Sequence, residues 1–349
     1  MPTLPLPKIK EIISNNHPTF LEELAQQAKQ IKEQYFGRTI SLYAPLYLSN
    51  FCSSYCTYCG FHSHNRIKRF KLTDEQMHSE MKFLADQGIE NVLLLTGESY
   101  KITPLSYLKE AVTVAKKYFP SIALEVHPME AYEYKELFEA GVDGITVYQE
   151  TYGKERYKQV HISGVKSNYD FRLHAPARAA EGGIRQVSMG ILLGLSENLA
   201  EDLYALNNHI RYMEKNFPGV EYSISFPRIQ PIKGENFARC NVDDKTFIKI
   251  ICLTRILFPR VGINLSTREK PSLRDHALEL GVTKISAGSN TSVGGYTIEP
   301  LDEQHPQFDI EDHRSVRDVV KLLKQRNLDP VFTEWRRIQG TGHTTHDTG

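Results

Sequence analysis

The stretch Asn50-Phe-Cys-Ser-Ser-Tyr-Cys-Thr-Tyr-Cys-Gly-Phe61 places three cysteines within eight residues. Cys52, Cys56 and Cys59 form a Cys-x3-Cys-x2-Cys row in a chain that has five cysteines in all. Three thiolates this close together can ligate one metal centre. A cubane iron–sulfur cluster normally takes four cysteines, so three of them would leave one iron open to another ligand.

The same spacing also allows a structural zinc site. Zinc takes sets of four cysteine and histidine ligands, and His62 or His64 could complete such a set. The spacing alone leaves both metal centres open. Cys240 and Cys252 are separated from the row and from each other. We interpret them as ordinary reduced cysteines, consistent with a cytoplasmic protein.

The amino-acid composition indicates which kinds of molecule the protein binds. Lys and Arg together number 42, as do Asp and Glu, so the formal net charge is zero. This balance argues against a dedicated nucleic-acid binder and against a strongly membrane-attracted surface. Hydrophobic residues make up 40% of the chain, which is ample for a core. The N-terminus lacks the apolar core of a signal peptide, and no apolar run reaches the length of a membrane span. We therefore expect a cytoplasmic protein whose partners are small molecules and other proteins, with no nucleic acid and no membrane.

Around the cysteine row, short β-rich runs alternate with amphipathic stretches of helical length. Such alternation predicts a parallel sheet with right-handed crossovers, and eight β/α units are the number that closes a TIM barrel. Strands are predicted at 39–48, 91–96, 122–126, 143–148, 186–193, 222–226, 261–266 and 284–287. Helices are predicted near 8–35, 74–88, 105–118, 131–140, 170–182, 199–216, 243–257 and 271–280.

The predicted organisation has three parts. An N-terminal helical extension is expected over residues 1–37, the barrel over 38–300, and a C-terminal helical extension with a mobile tail over 301–349. In the last part, one more helix is predicted near 312–326, and residues 329–335 are expected to pack on the outside of the barrel. No low-complexity linker marks a second domain.

Polar residues follow several of the predicted strands. In TIM barrels the chemistry lies at the C-terminal ends of the strands, so these residues are candidates for a common site. An arginine and several hydroxyl groups at one mouth would suit a carboxylate ligand, and a buried arginine without an anionic partner would be costly. The candidates are Thr96, Gly97, Glu98, Glu125, Gln149, Glu150, Gly190, Gly194, Arg268, Ser286 and Ser289.

The cysteine row resembles the signature of the radical S-adenosylmethionine (SAM) enzymes, because an aromatic residue, Tyr58, precedes its last cysteine and Gly60-Phe61 follows it. The resemblance implies a [4Fe-4S] cluster on Cys52, Cys56 and Cys59, with SAM bound to the open iron through its amine and carboxylate. One electron then splits SAM into methionine and a 5′-deoxyadenosyl radical. Zinc has no accessible redox change and cannot support this reaction.

The resemblance also implies residues that bind SAM. Thr96, Gly97 and Glu98 correspond to a Gly-Gly-Glu motif that contacts the amino group of SAM, with Thr96 departing from the family's first glycine. Arg172 corresponds to an arginine that pairs with the SAM carboxylate, for which the bidentate guanidinium is suited. The remaining SAM candidates are Glu125 and Gln149, Glu150 near the ribose hydroxyls, and Gly190 and Gly194 near the adenine.

Longer matches extend the resemblance to the tyrosine lyases of thiamine biosynthesis over roughly residues 10–335. They include Pro45-Leu-Tyr-Leu-Ser-Asn50, Val147-Tyr-Gln-Glu-Thr-Tyr152, Ser225-Phe-Pro-Arg228, Ser266-Thr-Arg-Glu269 and Gly294-Gly-Tyr296. That family cleaves the Cα–Cβ bond of L-tyrosine to 2-iminoacetate and p-cresol, and passes the imine to thiazole synthase. Reduced flavodoxin or ferredoxin is the implied electron donor.

The implied catalytic residues lie at the same mouth. Arg268, with Ser286 or Ser289, is expected to bind the carboxylate of the substrate. Tyr58 and Glu150 are expected to line the substrate or SAM pocket.

Two alternatives remain beside this interpretation. The hydrogenase-maturation enzyme HydG is also a tyrosine lyase, but it needs further cluster cysteines in a C-terminal domain, and no cysteine follows Cys252 in this sequence. We therefore favour the thiamine enzyme. The other alternative is a non-enzymatic zinc-binding module, which would leave the polar strand ends unexplained.

Overall fold

The computed structural model describes residues 4–231, 237–298 and 306–332, and in this part of the chain eight parallel strands close into a barrel. The strands are β1 (Thr39–Ser49), β2 (Tyr55–Cys56), β3 (Asn91–Thr96), β4 (Ser121–Glu125), β5 (Gly144–Thr146), β6 (His161–Ser163), β7 (Gln186–Gly190), β8 (Glu221–Ser225), β9 (Gly262–Leu265), β10 (Lys284–Ser286) and β11 (Asp329–Val331). The barrel runs β1-β3-β4-β5-β7-β8-β9-β10, and β10 pairs with β1 to close it. The predicted TIM barrel is confirmed.

Helices connect the barrel strands on the outside. They are α1 (Leu6–Ser14), α2 (Pro18–Phe36), α3 (Asp74–Asp86), α4 (Leu105–Ala115), α5 (Ala131–Ala140), α6 (Lys154–Val160), α7 (Tyr169–Leu173), α8 (Ala175–Glu181), α9 (Leu199–Asn216), α10 (Asp244–Leu257), α11 (Pro271–Leu280) and α12 (Val316–Gln325). In the described residues, no helix combines the length and the apolar composition needed to cross a membrane.

Two predicted helices are each divided by a proline. The predicted 170–182 helix is α7 followed by α8, because Pro176, near the start of α8, has no N–H to donate to the preceding turn. The predicted N-terminal helix is α1 followed by α2, which begins at Pro18. Proline is well placed at the start of a helix, where its missing donor would have no partner.

Two predicted strands are longer than the observed ones. The predicted 143–148 strand is only β5, and the predicted 186–193 strand ends as β7 at Gly190. Beyond these ends, single bridges join Ile191 to Glu150 and Leu193 to Arg228. The chain therefore leaves the regular ladder at the mouth of the barrel and keeps only isolated pairings there.

The terminal segments pack around the barrel. Helix α1 contacts α9 and α10, and α2 contacts α10 and α11. At the other end, α12 begins at a capping box in which Ser315 and Asp318 satisfy each other's backbone N–H groups. Strand β11 then adds to the first residues of β1, with Asp329 opposite Thr39. The predicted exterior segment 329–335 is thus partly a strand, and its last residues lie outside the described ranges.

Sequence analysis did not predict a small second sheet beside the cysteine row. Strands β2 and β6 pair antiparallel, with Tyr55 opposite Ser163 and Cys56 opposite His161. Helix α6, also not predicted, leads directly into β6. Both strands are too short to show an alternating pattern in the sequence, so only the folded chain reveals that they pair.

Candidate active site

The cysteine row forms a buried loop directly after β1. Cys56 is buried, while Cys52 and Cys59 are partly buried, and all three are free thiols. The backbone N–H of Ser54 donates to Cys52 Sγ at 3.4 Å. Burial raises the pKa of the Cys52 thiol to about 11. Metal binding ionises such a thiol, so a buried row of this kind favours metal ligation over free thiolate chemistry.

Arg69 binds the backbone of this loop. Its guanidinium donates to the carbonyl oxygens of Asn50 at 2.6 Å, Phe61 at 2.8 Å, His62 at 2.7 Å and Asn65 at 3.1 Å. The four carbonyls flank the cysteines on both sides in the sequence. One side chain therefore connects the entrance and the exit of the loop, which holds the cysteines in place.

The segment after β6 braces the loop from the other side. Gly164 has φ 86°, and a Cβ atom at this position would lie 2.3 Å from the carbonyl oxygen of Ser53. Only glycine fits this close backbone approach without strain. The backbone N–H of Lys166 then donates to Ser54 Oγ at 3.0 Å. This approach brings Lys166 into the barrel mouth.

A buried ion pair joins two of the predicted SAM residues. Arg172 Nη1 donates to Glu98 Oε1 at 2.7 Å, and Arg172 Nε donates to the carbonyl oxygen of Tyr148 at 2.6 Å. Burial opposes ionisation of Glu98, but Arg172 and Lys166 outweigh it and hold the pKa of Glu98 below its usual value. Burial likewise opposes the charge on Arg172, yet Glu98 holds the pKa of Arg172 above its usual value.

A second ion pair lies beside the first. Lys166 Nζ donates to Glu150 Oε1 at 2.6 Å; the Glu150 side chain is buried and that of Lys166 is partly buried. Burial disfavours the ammonium, but the charges of Glu150, Cys56 and Glu98 outweigh this effect and raise the pKa of Lys166. Glu150 has φ 70°, a conformation that is uncommon for a residue with a side chain. Such strain is often found at ligand-binding positions, which is consistent with the predicted role of Glu150.

Tyr58 lies against this second pair. Its hydroxyl is 2.7 Å from His161 Nε2, and Lys166 Nζ lies 5.8 Å from the centre of its ring. His161 Nδ1 is 2.9 Å from the carbonyl oxygen of Tyr157 and donates to it, which leaves Nε2 as the acceptor for the Tyr58 hydroxyl. Burial lowers the pKa of His161, so the ring is neutral near pH 7. The structure therefore fixes Tyr58 beside Lys166 through a partner that is distant in the sequence.

Glu125 is the last residue of β4, at the C-terminal end of the barrel. Burial, and then the charge of Glu150, raise the pKa of Glu125 to about 7. Its charge acts on three tyrosines in the barrel, Tyr43, Tyr47 and Tyr148, and contributes with burial to raising the pKa of each. A carboxyl group with this pKa can exchange a proton at physiological pH.

The predicted substrate residues come together at the ends of β9 and β10. The Arg268 guanidinium lies 3.3 Å from the centre of the Phe308 ring. Ser286 Oγ accepts from the backbone N–H of Thr267 at 3.1 Å, so it positions the residue beside Arg268. Ser289 Oγ is buried and has no hydrogen-bond partner in the described part of the chain. Of the two serines, Ser289 has the free hydroxyl group for a ligand.

The three predicted glycines differ in what they contact. A Cβ atom on Gly97 would lie 2.4 Å from the carbonyl oxygen of Phe51, so this glycine lets the end of β3 approach the cysteine loop. A Cβ atom on Gly190 would meet the Tyr148 ring at 2.8 Å, and one on Gly194 would meet the Cys240 carbonyl at 2.9 Å. All three therefore serve close packing of protein against protein, and the adenine contacts of Gly190 and Gly194 remain predictions.

Several buried polar atoms at the mouth lack partners within the described ranges. They are Thr96 Oγ1, Glu98 Oε2, His127 Nδ1 and both amide atoms of Gln149. Buried polar groups are normally paired, so a cluster of unpaired ones at one mouth calls for a ligand rich in donors and acceptors. SAM, with its amine, carboxylate and ribose, provides such groups, and the residues present fit it.

A zinc site would require a histidine that ligates the same metal ion as the three cysteines. His62 and His64 instead lie against the Tyr55 ring, at 5.1 and 4.4 Å between ring centres. Among the residues that the structure describes, no three Cys, His, Asp or Glu side chains are grouped to hold one metal ion. A cubane does not require this, because each thiolate binds a different iron atom.

Four residues of this site were not predicted from the sequence: Arg69, His161, Lys166 and Gln307, whose Nε2 atom donates to Cys59 Sγ at 3.7 Å. They belong to loops or short elements outside the barrel strands, and none follows a predicted strand directly. The cluster of Arg and Lys at 66–71 was the one available signal, and it does not distinguish Arg69, which faces inward, from its exposed neighbours.

Comparison with known proteins identifies the family. Residues 46–206 match the Radical SAM superfamily, and residues 225–329 match the Biotin and Thiamin Synthesis associated domain. The 2-iminoacetate synthase of Salmonella typhimurium is 38% identical over 329 residues, which cover 93% of this chain and 86% of that protein. The chain belongs to the 2-iminoacetate synthase family. The enzyme of Escherichia coli is 37% identical over 92% of this chain and 85% of that protein.

Family membership confirms that the chain is a radical SAM carbon–carbon lyase with a [4Fe-4S] cluster and SAM as cofactors. It also decides against the zinc-binding module. A crystal structure of HydG, a maturase of the [FeFe]-hydrogenase, superposes with a TM-score of 0.90 at 31% identity, covering 97% of this chain and 75% of that one. The 2-iminoacetate synthases match at higher identity over a larger share of their own length, so they are the better guide to function.

Proposed function

We propose that the barrel mouth binds SAM and L-tyrosine and cleaves the Cα–Cβ bond of L-tyrosine to 2-iminoacetate and p-cresol, supplying the thiazole moiety of thiamine. The observation that carries this proposal is the convergence of the cysteine loop, two buried ion pairs and Arg268 on one mouth, in a chain of the 2-iminoacetate synthase family.

Cys52, Cys56 and Cys59 would hold the cluster, with Arg69 and the segment after β6 fixing their loop. When bound together, the cluster and SAM supply a 5′-deoxyadenosyl radical after one-electron reduction. The unpaired Oε2 atom of Glu98 would accept from the SAM amino group, while Arg172 keeps this carboxylate ionised.

Arg268 and Ser289 would hold the carboxylate of L-tyrosine. Phe308 supports the guanidinium from one face, and the buried hydroxyl of Ser289 is free to donate. Glu125, with a pKa near 7, would accept the proton that the substrate ammonium loses before a hydrogen atom is taken from the amine. Holding the substrate amine close to the site of radical formation is the main contribution of such a barrel.

Two protein partners belong to the same proposal. Reduced flavodoxin or ferredoxin would donate the electron, and thiazole synthase would accept 2-iminoacetate. The resemblance to the family supports both partners, and an imine that hydrolyses in water is best transferred directly to the enzyme that uses it.

The test is an anaerobic assay of cluster-reconstituted protein with SAM, dithionite and L-tyrosine. We expect 5′-deoxyadenosine and p-cresol, detected by mass spectrometry, and loss of both in Cys56→Ala. Cys240→Ala is the matched control, because Cys240 lies outside the row, and it should keep both products. Formation of 5′-deoxyadenosine without p-cresol would reject tyrosine as the substrate.

The second candidate function is that of HydG, favoured by the TM-score of 0.90. Both enzymes release p-cresol, so the fate of the other fragment decides between them. We expect 2-iminoacetate, recovered as glyoxylate after hydrolysis. Carbon monoxide and cyanide in its place would support the maturase function.

A further inference from the structure

A two-step hydrogen-bond relay ends on one of the three cysteines. The Tyr47 hydroxyl donates to Gln307 Oε1 at 2.7 Å, and Gln307 Nε2 donates to Cys59 Sγ at 3.7 Å. Tyr47 is a barrel residue of β1, whereas Gln307 belongs to the segment that follows the barrel. The relay therefore joins two parts of the chain at the cysteine loop.

When Cys59 is a thiolate, the side-chain amide of Gln307 can be oriented in only one way. A thiolate can only accept a hydrogen bond, so the NH2 group of Gln307 must face Cys59. The amide oxygen then faces Tyr47, whose hydroxyl donates to it. A tyrosine hydroxyl can donate or accept, so the thiolate sets the orientation of the amide, and the hydrogen bond from Tyr47 to the amide oxygen stabilises that orientation.

The backbone around Gln307 is held against the loop. Its N–H donates to the carbonyl oxygen of Thr291 at 3.1 Å, and Thr291 Oγ1 donates to the Phe308 carbonyl at 2.8 Å. A Cβ atom on Gly60 would lie 2.7 Å from the Gln307 carbonyl oxygen, so the residue after Cys59 has no room for a side chain. The amide is thus presented to Cys59 by a fixed backbone.

We propose that Gln307 is a positioning residue that hydrogen-bonds the Cys59 ligand and raises the reduction potential of the cluster, with Tyr47 orienting its amide. Reduction adds one electron to a cluster that already carries thiolate charge. A hydrogen bond to a ligand sulfur stabilises the added charge, so it favours the reduced state. This inference rests on the proposed role of Cys59 as a cluster ligand.

The test is the midpoint potential of the reconstituted protein, measured by electron paramagnetic resonance during stepwise reduction with dithionite. We expect Gln307→Leu to shift the midpoint potential to more negative values. At a fixed applied potential, the ratio of reduced to oxidised cluster should fall about tenfold, which corresponds to a shift of about 59 mV for one electron. Tyr47→Phe should shift it in the same direction and by less, because the amide remains but is no longer oriented.

Gln26→Leu is the matched control. It makes the same substitution at an exposed glutamine of helix α2, whose side chain donates to Glu22, so the potential should stay at the wild-type value. An unchanged potential in Gln307→Leu, with the cluster intact, would overturn the proposal, and so would an equal shift in Gln26→Leu. If Gln307→Leu does not assemble a cluster, the midpoint potential of Tyr47→Phe is the test, and an unchanged value there would overturn the proposal.

Cys59→Ala separates this proposal from the one on which it rests. Normal cluster assembly in Cys59→Ala would reject Cys59 as a ligand, and the relay would then have no route to the cluster. If Cys59→Ala loses the cluster but Gln307→Leu keeps the wild-type potential, Cys59 is a cluster ligand and only the proposed role of the relay is rejected.

Discussion

Arg172 donates to Glu98 at 2.7 Å, with both side chains buried at the barrel mouth, although 74 residues separate them in the sequence. The pair leaves Glu98 Oε2 without a partner in the described ranges. One carboxylate oxygen of Glu98 is thus held by Arg172, and the other is available to bind a ligand. Removing one partner of a buried pair leaves an uncompensated charge, which typically costs about 3–5 kcal/mol.

We expect Arg172→Gln to lower the thermal unfolding temperature of the cluster-free protein, because Glu98 then remains buried and charged. The double variant E98Q/R172Q should recover part of this loss, since it removes both charges. Differential scanning fluorimetry of the wild type, both single variants and the double variant measures the coupling. Additive losses in the double variant would show that the two residues do not depend on each other.

Arg69 should control how well the cluster is retained. In Arg69→Met, four carbonyl groups of the cysteine loop lose their donor, so we expect faster loss of iron to a chelator at an unchanged fold. Lys68→Met is the matched control, because this neighbouring side chain is exposed. Equal rates of iron release in the two variants would contradict a clamping role for Arg69.

Glu125 should make stability depend on pH. Its pKa of about 7 in the folded protein lies above the usual glutamate value near 4.3, so the folded state binds the proton more tightly. The resulting stabilisation is complete below pH 4.3 and is lost as the pH rises through 7. We expect Glu125→Gln to remove this part of the pH dependence.

The measurement for Glu125 is the unfolding temperature of both proteins, without cluster, between pH 5 and pH 8. The difference between the two curves isolates Glu125 from histidines that titrate in the same range. Parallel curves would show that Glu125 titrates at an ordinary pKa.

Glu80 should be essential for the loop after β10. Its carboxylate accepts from the backbone N–H groups of Tyr296, Thr297 and Ile298 at 2.9, 2.6 and 3.0 Å. Glu80→Gln places an amide donor against some of these N–H groups, and an unmet buried donor costs about 1–3 kcal/mol. We expect a lower denaturant midpoint, while Asp86→Asn, on the exposed face of the same helix, should change little.

Much of the site could be predicted because its residues lie directly after barrel strands. Parallel strands bring their C-terminal ends together, so Glu98, Glu125, Glu150 and Arg268 were expected at one mouth before any contact was known. The division of the 170–182 helix escaped prediction although Pro176 stood in the sequence, because helices can also begin at a proline and apolar periodicity continued across it.

By itself, the sequence determined the barrel and the metal-binding row, because β/α alternation and cysteine spacing are local patterns that a short window of residues displays in full. Only the tertiary structure decided that Lys166 pairs with Glu150, that Arg69 spans the cysteine loop and that Gln307 reaches Cys59. These contacts join loops and short segments whose side chains carry no periodic signal. Their partners are selected by how the closed barrel brings separate parts of the chain into hydrogen-bonding distance.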